Sequence, residues 1–284
     1  MDLQNAKGSH MFWFGTKVIG FYVERLLEQQ KDLLQDRVVL DFPAGHGATA
    51  SQLRRLGARV IAMDLFPEFF RDETIECIRA DLSERIDLPD GSVDYLICQE
   101  GVEHVPNQIA MFSEFGRIVK NGGRLLVTTP NHSNLRAKLS YLLTESELYS
   151  KMMPPNEFDS IWHSKESGDI YYGHVNLIGI ARLRLFALIN GFRISKIHPT
   201  RVNYTALLLF PFLYPFILLS SFQARRRFRR KRLHADQNLD ELLRLMISPA
   251  ILLCGHLVVE FEKAHQIGRD IIGQEAASTV FSDH

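Results

Sequence analysis

Apolar residues Val18, Ile19, Tyr22, Leu26 and Leu27 recur at the spacing of one helix face, which predicts an amphipathic helix over roughly residues 12–35. The period then changes. Arg37-Val-Val-Leu-Asp-Phe42 is a short β-branched run stopped by Pro43 and glycines, the pattern of a strand buried on both faces. Ala48–Leu56 returns to helical spacing, Ala58–Met63 reads as a second strand and Thr74–Ala80 as a third. Val93–Cys98 follows the turn signal Pro89-Asp-Gly91 and makes a fourth strand. Ile109–Val119 is helical with an expected stop at Asn121-Gly-Gly123, and Arg124–Thr128 is a fifth strand. Strands alternating with helices imply a mostly parallel sheet covered on both faces, a doubly wound α/β fold.

The alternation breaks at Pro130. From there to His174 the chain is rich in Ser, Asn, His, Tyr and Pro, with weak helical signals. So long a connection in a compact domain is expected to form a lid or substrate loop, placed at 131–174. A helix at Leu177–Ile189, closed by Asn190-Gly191, and strands at Phe192–His198 and His256–Glu262 restore the pattern. The α/β domain is therefore expected over 37–200 and again over 250–265. Residues 1–36 would supply a helix covering the ligand site, 205–249 an insertion, and 266–284 a loose tail.

Composition changes this picture chiefly through charge. A chain of 284 residues, 46% hydrophobic and 23% charged, suits a soluble globular protein with a full core. Zero formal net charge argues against a nucleic-acid partner. Yet Arg225–Arg232 holds seven basic residues and no acid, leaving 26 basic against 33 acidic residues elsewhere. Cys77, Cys98 and Cys254 are scattered with no C-x-x-C pair, so neither a zinc site nor a disulfide framework is expected, and a reducing, cytoplasmic setting fits. The N-terminus lacks a basic start followed by an apolar core, so no leader peptide is expected.

The candidate chemistry starts at Asp41-Phe-Pro-Ala44-Gly45-His-Gly47, which ends the first strand and opens a helix. In open α/β sheets ligands sit outside the carboxyl ends of the strands, and glycine there lets the backbone approach them closely. Gly45, Gly47 and Ala50 also match the G-x-G-x-x-A pattern of dinucleotide sites, with Asp64 as the ribose acid. Electrostatics separates the two readings. A pyrophosphate disfavours an acid at the glycine turn, whereas a cationic nucleoside favours one, and Asp41 stands there. Asp64, after the second strand, can accept from ribose hydroxyls, and Asp81, after the third, from an adenine amino group. Three acids after three successive strands suit a cationic nucleoside, although single Asp residues also serve as helix caps and turn formers.

The run Val38–His132 resembles the class I methyltransferases, in particular the branch of the ubiquinone-biosynthesis O-methyltransferases and relatives encoded with surface glycan and lipid genes. The resemblance rests on the glycine turn, Asp64, Ala80-Asp81-Leu82, Gln99-Glu-Gly-Val-Glu-His-Val105, Asn121-Gly-Gly-Arg-Leu-Leu-Val127 and Thr129-Pro-Asn131. Ser9-His-Met-Phe-Trp-Phe14 is similar to an aromatic entry segment placed over the cofactor in many relatives, and Tyr172-Gly-His174 to a later one. The resemblance implies a seven-stranded Rossmann-like methyltransferase fold with S-adenosylmethionine as cofactor. It implies contacts from Asp41, Ala44, Gly45, Gly47, Asp64, Leu65, Asp81, Leu82, Gln99, Glu100, Phe14 and Lys17. One departure stands out: Pro43 replaces the usual first glycine of the turn, fixing φ and removing an N–H.

Methyl transfer from a sulfonium requires in-line positioning and, for a hydroxyl acceptor, a base. Glu103 and His104 follow the fourth strand at the expected lip of the site and are the preferred bases, with His174 in the lid as a further candidate and His132 and His163 behind it. In the resembling quinone O-methyltransferases the spacing of Glu100, Glu103 and His104 goes with a divalent metal, which makes a metal a lesser alternative here. No Asn/Asp-Pro-Pro-Tyr/Phe amine-methylating motif follows the fourth strand, which leans toward oxygen. A non-catalytic nucleoside-binding partner protein and a nicotinamide-dependent oxidoreductase are the competing readings. Finally, Ala206–Leu219 is apolar apart from Pro211 and Pro215, and the Arg225–Arg232 cluster follows it. An apolar wedge beside a cationic collar predicts interfacial attachment of 206–232 to an anionic membrane, on its cytoplasmic face, and a lipid-linked acceptor. The prolines and the length of the run argue against a straight span.

Overall fold

The computed structural model describes residues 19–146, 156, 161–163, 170–173, 176–230 and 236–264, with backbone alone at 161–163, 170–172, 229–230 and 236–237. The N-terminal amphipathic pattern resolves into two helices, α1 (Ile19–Gln29) and α2 (Lys31–Leu34). They divide at Gln30, whose carbonyl accepts from both Leu33 and Leu34. Residues 12–18 of the expected helix lie outside the described residues.

Next come β1 (Val38–Asp41), α3 (Ala48–Arg55), β2 (Arg59–Asp64), β3 (Cys77–Arg79), β4 (Val93–Gln99), α4 (Gln108–Ile118) and β5 (Val119–Pro130). After α5 (Leu135–Thr144) and a short hairpin of β6 (Ile161–His163) and β7 (Ile170–Tyr172) follow α6 (Ile180–Ile189) and β8 (Phe192–Ile197). The chain then forms α7 (Tyr204–Arg230), α8 (Asp236–Ile247), α9 (Pro249–Leu253) and β9 (His256–Lys263). Seven strands make one sheet in the order β3-β2-β1-β4-β5-β9-β8. The strands from β1 to β5 pair in parallel, and β9 runs antiparallel between β5 and β8.

Alternation along each strand divides the core between the two faces. Val39, Tyr95, Ile97, Leu126 and Val258 pack with Val23, Leu27, Leu34 and Leu53 of α1 to α3. Leu40, Leu96, Cys98, Leu125, Val127 and Phe261 face Phe112, Phe115 and Ile118 of α4 and Leu183 and Ala187 of α6. Strand order reverses between β1 and β4, so their carboxyl ends open the crevice in which such folds bind ligands.

Three expectations change. The Asn121-Gly-Gly123 segment does not end a helix: α4 stops at Ile118, and β5 begins immediately, with a register shift between Val93 and Tyr95 that absorbs the glycines. The lid segment carries a ten-residue helix, α5, capped by the Asn134 side chain, which accepts from the Ala137 amide. The apolar run continues through Pro211 and Pro215 into the arginines as one 27-residue helix, α7. Proline removes one amide donor at each position, but packing of one helix side on Leu135, Val202, Leu252 and Leu253 keeps the helix continuous.

Candidate functional site

The turn after β1 is held by neighbours on both sides. Phe42 donates to the Ile97 carbonyl (2.9 Å), Ala44 to Met63 (2.9 Å) and Gly47 to Ala44 (2.9 Å). Gly47 caps α3 at φ 86°, where a Cβ would stand 2.8 Å from the Phe70 ring. Backbone sterics and packing thus both require glycine there. Gly45, at φ 52°, faces open space with nothing within 4 Å of a notional Cβ. Pro43 packs on Gly101 after β4, where a Cβ would come within 2.6 Å of its ring. The proline that replaces the expected glycine therefore joins the β1 and β4 ends together.

Asp64 ends β2 and organises that turn. One carboxylate oxygen accepts from the Gly45 amide at 2.7 Å, the other from the Phe66 amide at 2.8 Å. Each oxygen retains acceptor capacity for a ligand hydroxyl. Asp81 accepts from the Ser83 amide at 2.7 Å, a local turn at the β3 end. Leu65 accepts from Arg79, and Leu82 packs beside the Gly101 position. Gln99 accepts from the Thr49 hydroxyl at 3.1 Å and links the β4 end to α3.

Asp41 is the electrostatic centre of this rim. Its side chain is 1% exposed and neither carboxylate oxygen has a hydrogen-bond partner within ordinary geometry. Burial pushes its pKa up to about 8, with the nearby Ala50 amide pulling it partly back and the Asp64 charge raising it further. Such a group lacks a cation, and a cationic ligand group at this rim would supply one.

Glu100 and Glu103 form a second acidic cluster. Glu100 adopts a left-handed φ of 50°, a conformation non-glycine residues rarely hold. It is fixed by Thr128, whose hydroxyl donates to its Oε1 at 2.9 Å, and it lies 3.6 Å from His256 Nε2. Glu103 is entirely buried: Thr129 Oγ1 donates to its Oε2 at 3.0 Å, and its Oε1 has no partner. Burial raises both carboxyl pKa values, and mutual repulsion raises that of Glu100 further.

These positions correct the expectation for Glu103. It does not stand at the lip of the site, because the 3-10 turn Val102–His104 directs it inward to Thr129. His104 is half-buried at the end of that turn. Among the described residues no three His, Cys, Asp or Glu side chains converge as metal ligands, and the Glu103 geometry separates it from such a set. Phe14, Lys17 and His174 lie outside the described residues, and of His163 only the backbone is described. His132 is placed just past β5, with burial lowering its pKa and its Nδ1 unpartnered. The residues that sequence reasoning missed are Thr49, Thr128 and His256. Thr128 directly precedes the Thr129-Pro-Asn131 motif, but its partner is fixed only by the β4–β5 register, and that of His256 by the pairing of Pro130 with His256.

Residues 40–127 match a family model described as a methyltransferase domain. Over 132 residues the chain is 29% identical to the "Ubiquinone biosynthesis O-methyltransferase" of Xanthomonas oryzae pv. oryzae, covering 41% of this chain and 52% of that protein. The corresponding protein of Xanthomonas axonopodis pv. citri is 28% identical over the same shares. The chain thus spans about half the length of the curated relatives it matches. Among solved structures, a proposed sarcosine dimethylglycine methyltransferase of Galdieria sulphuraria superposes with a TM-score of 0.52 at 16% identity, covering 91% of this chain and 93% of that one. The YcgJ protein of Bacillus subtilis also gives 0.52, at 13% identity, with 87% and 100% covered. At such identities these likenesses concern the fold, which is the Rossmann-like methyltransferase fold.

Proposed function

We propose, from the match of residues 40–127 to a methyltransferase-domain family model, that the chain transfers a methyl group from S-adenosylmethionine to an oxygen of a lipid-linked or otherwise apolar acceptor at a membrane surface. The observation that carries the cofactor assignment is the orphaned, buried Asp41 beside the glycine turn. The ammonium of the cofactor would compensate that carboxylate, Asp64 would accept from ribose hydroxyls, and Asp81 from the adenine amino group. The open space at Gly45 fits close approach of the ligand to the backbone. When bound, the cofactor supplies an electrophilic methyl on a sulfonium. Turnover of a hydroxyl acceptor then needs this chain to orient it and take its proton. His104 is the preferred residue for that work, with the Glu100–His256 pair and His174 as the other bases.

The purified protein should bind S-adenosylmethionine with a Kd of about 1 μM, the range for a nucleoside held by several charge-assisted contacts. Asp64→Asn, read by calorimetry, should weaken that binding markedly, and unchanged affinity would overturn the role of Asp64. Binding of a nicotinamide cofactor in its place would overturn the whole reading. His104→Ala should lower methyl transfer to a lipid extract while leaving cofactor affinity intact, whereas full activity would move the base to Glu100–His256 or His174. The lipid acceptor is supported by α7, a helix long and apolar enough by composition to cross a membrane over Tyr204–Phe228. Radiolabelled methyl should pass from the cofactor into the chloroform-soluble fraction of a cell extract. Label confined to the aqueous fraction would refute a lipid acceptor.

A further inference from the structure

Resting on that reading, we propose that α7 lies in the plane of an anionic membrane leaflet and, with the last turn of α5, forms one docking face that holds the ligand rim of the sheet at the headgroup layer. Among the described residues, twelve of the seventeen exposed large apolar side chains belong to these two helices. On α7 they include Leu208, Phe212, Phe216, Leu219 and Phe222, spaced by four, four, three and three residues. That spacing is one continuous stripe along a helix. Tyr141, Leu142 and Leu143 end α5, which packs against α7. So concentrated an exposed apolar surface marks an interaction face.

The opposite side of α7 decides between spanning and lying flat. Ala206, Phe210, Leu213 and Ile217 pack with Leu135, Val202, Leu252 and Leu253 of the domain. Further along, Arg225 pairs with Asp240 of α8 at 2.8 Å. In turn α8 is fixed by a 2.6 Å pair between Glu241 and Arg184 of α6, and its Leu245 and Met246 pack on the main core. A helix held to the folded domain over Ala206–Ile217 and again at Arg225 cannot cross a bilayer without dragging Asp240, Glu241 and Arg184 into hydrocarbon. The same pairs make α8 a clamp on the domain and engage Arg225 internally, so the cationic collar expected from Arg225 starts at the exposed Arg226 and Arg227.

Charge selects the occupant. No acidic residue interrupts α7, and its arginines adjoin the apolar stripe, the combination that favours an anionic lipid surface. The position of the face relative to the site follows from the chain path. From the β5 end at Pro130 only four residues lead to α5, and α7 begins two residues after the Val202–Cys254 bridge, beside His256. Both helices therefore root at the rim that carries Glu100 and His256, so an amphipathic acceptor would offer its head there with its tail left in the leaflet.

The test uses the full chain with vesicles of phosphatidylcholine, alone or with phosphatidylglycerol. Flotation should recover the protein with anionic vesicles at low salt and at least tenfold less with neutral ones. Phe212→Asp/Phe216→Asp and, separately, Leu142→Asp/Leu143→Asp should each reduce recovery at least tenfold. Calorimetric binding of S-adenosylmethionine should persist in every variant. Its persistence together with unaltered flotation would overturn the docking face alone, whereas its absence in the parent protein would overturn the methyltransferase reading. Depth is read in a Trp13→Phe/Trp162→Phe background with Phe212→Trp or Phe222→Trp and brominated lipids. Ten residues of helix cover about 15 Å, so a spanning helix puts these positions at different depths. Quenching of both by bromines at one shallow depth is expected, and maxima at two separated depths would overturn the in-plane placement. A dimer in solution that the Asp variants dissociate without change in flotation would assign the stripe to a second copy of the chain and overturn the proposal.

Discussion

Two buried acids in the same sheet behave in opposite ways. Glu260, in the middle of β9, accepts from Gln30 and Arg124 at 2.9 Å, receives the Tyr95 hydroxyl at 3.3 Å, and faces His198 Nε2 at 3.3 Å. Although burial raises its pKa, these partners together outweigh burial and pull it down to about 2. Asp41, three strands away across the sheet at the crevice, is buried with neither carboxylate oxygen hydrogen-bonded, and its pKa rises to about 8. Satisfaction, not burial, separates them. A fully partnered acid ties the α1–α2 junction, β4 and β5 to β9, while an unpartnered one leaves a charge deficit for a ligand to fill.

The strongest way to break this contrast is Asp41→Asn. At pH 8.5 it should lower affinity for S-adenosylmethionine about 100-fold, or ~2.7 kcal/mol, by calorimetry. At pH 6, where the folded state keeps Asp41 protonated and the unfolded chain ionises it, the variant should melt above the parent, because asparagine removes the cost of that proton uptake. Glu260→Gln should show the reverse: a loss of roughly 2 kcal/mol in denaturant-monitored stability with cofactor affinity unchanged. That figure is set below the about 3–5 kcal/mol for breaking a fully buried ion pair, because Arg124 is partly exposed and screened. A variant that lost both properties would erase the distinction.

Proton linkage sharpens it further. If cofactor binding requires the Asp41 carboxylate, affinity should rise about tenfold (~1.4 kcal/mol) between pH 6 and pH 7, with proton release detectable in buffers of different ionisation enthalpy. In the free protein the two acids shape opposite limbs of the stability curve. The raised pKa of Asp41 means that the folded state binds the extra proton, so its contribution is complete below about pH 4 and is lost as pH rises through about 8. The lowered pKa of Glu260 makes its contribution complete above about pH 4.5 and lost as pH falls toward 2. Thermal melts across pH should therefore peak in mild acid, with Asp41→Asn flattening the alkaline limb and Glu260→Gln the acid one. The smallest effect is expected at the turn itself. Gly47→Ala should cost about 1 kcal/mol, through its positive φ and the crowding of Phe70, as measured by chemical denaturation.

The sequence by itself determined the layered α/β scaffold, because strand and helix periods differ and because Asp41, Asp64 and Asp81 each follow a strand whose β-branched or apolar run is legible. It also determined that an apolar stretch adjoins a basic cluster. Tertiary structure decided what those residues do. The complete burial of Glu103 and the partial burial of Glu100 depend on a 3-10 turn and on Thr128 and Thr129, which alternate along β5 to reach different partners. His256 reaches Glu100 from more than 150 positions away in the chain, through antiparallel pairing of β9 with β5. Helix α7 runs through two prolines because one of its sides is seated on the domain, and Arg225 is withdrawn from the collar because Asp240 of α8 is there to meet it. Local pattern records what a segment prefers; partners brought in by strand register and helix docking decide which charges are satisfied and which apolar faces remain uncovered.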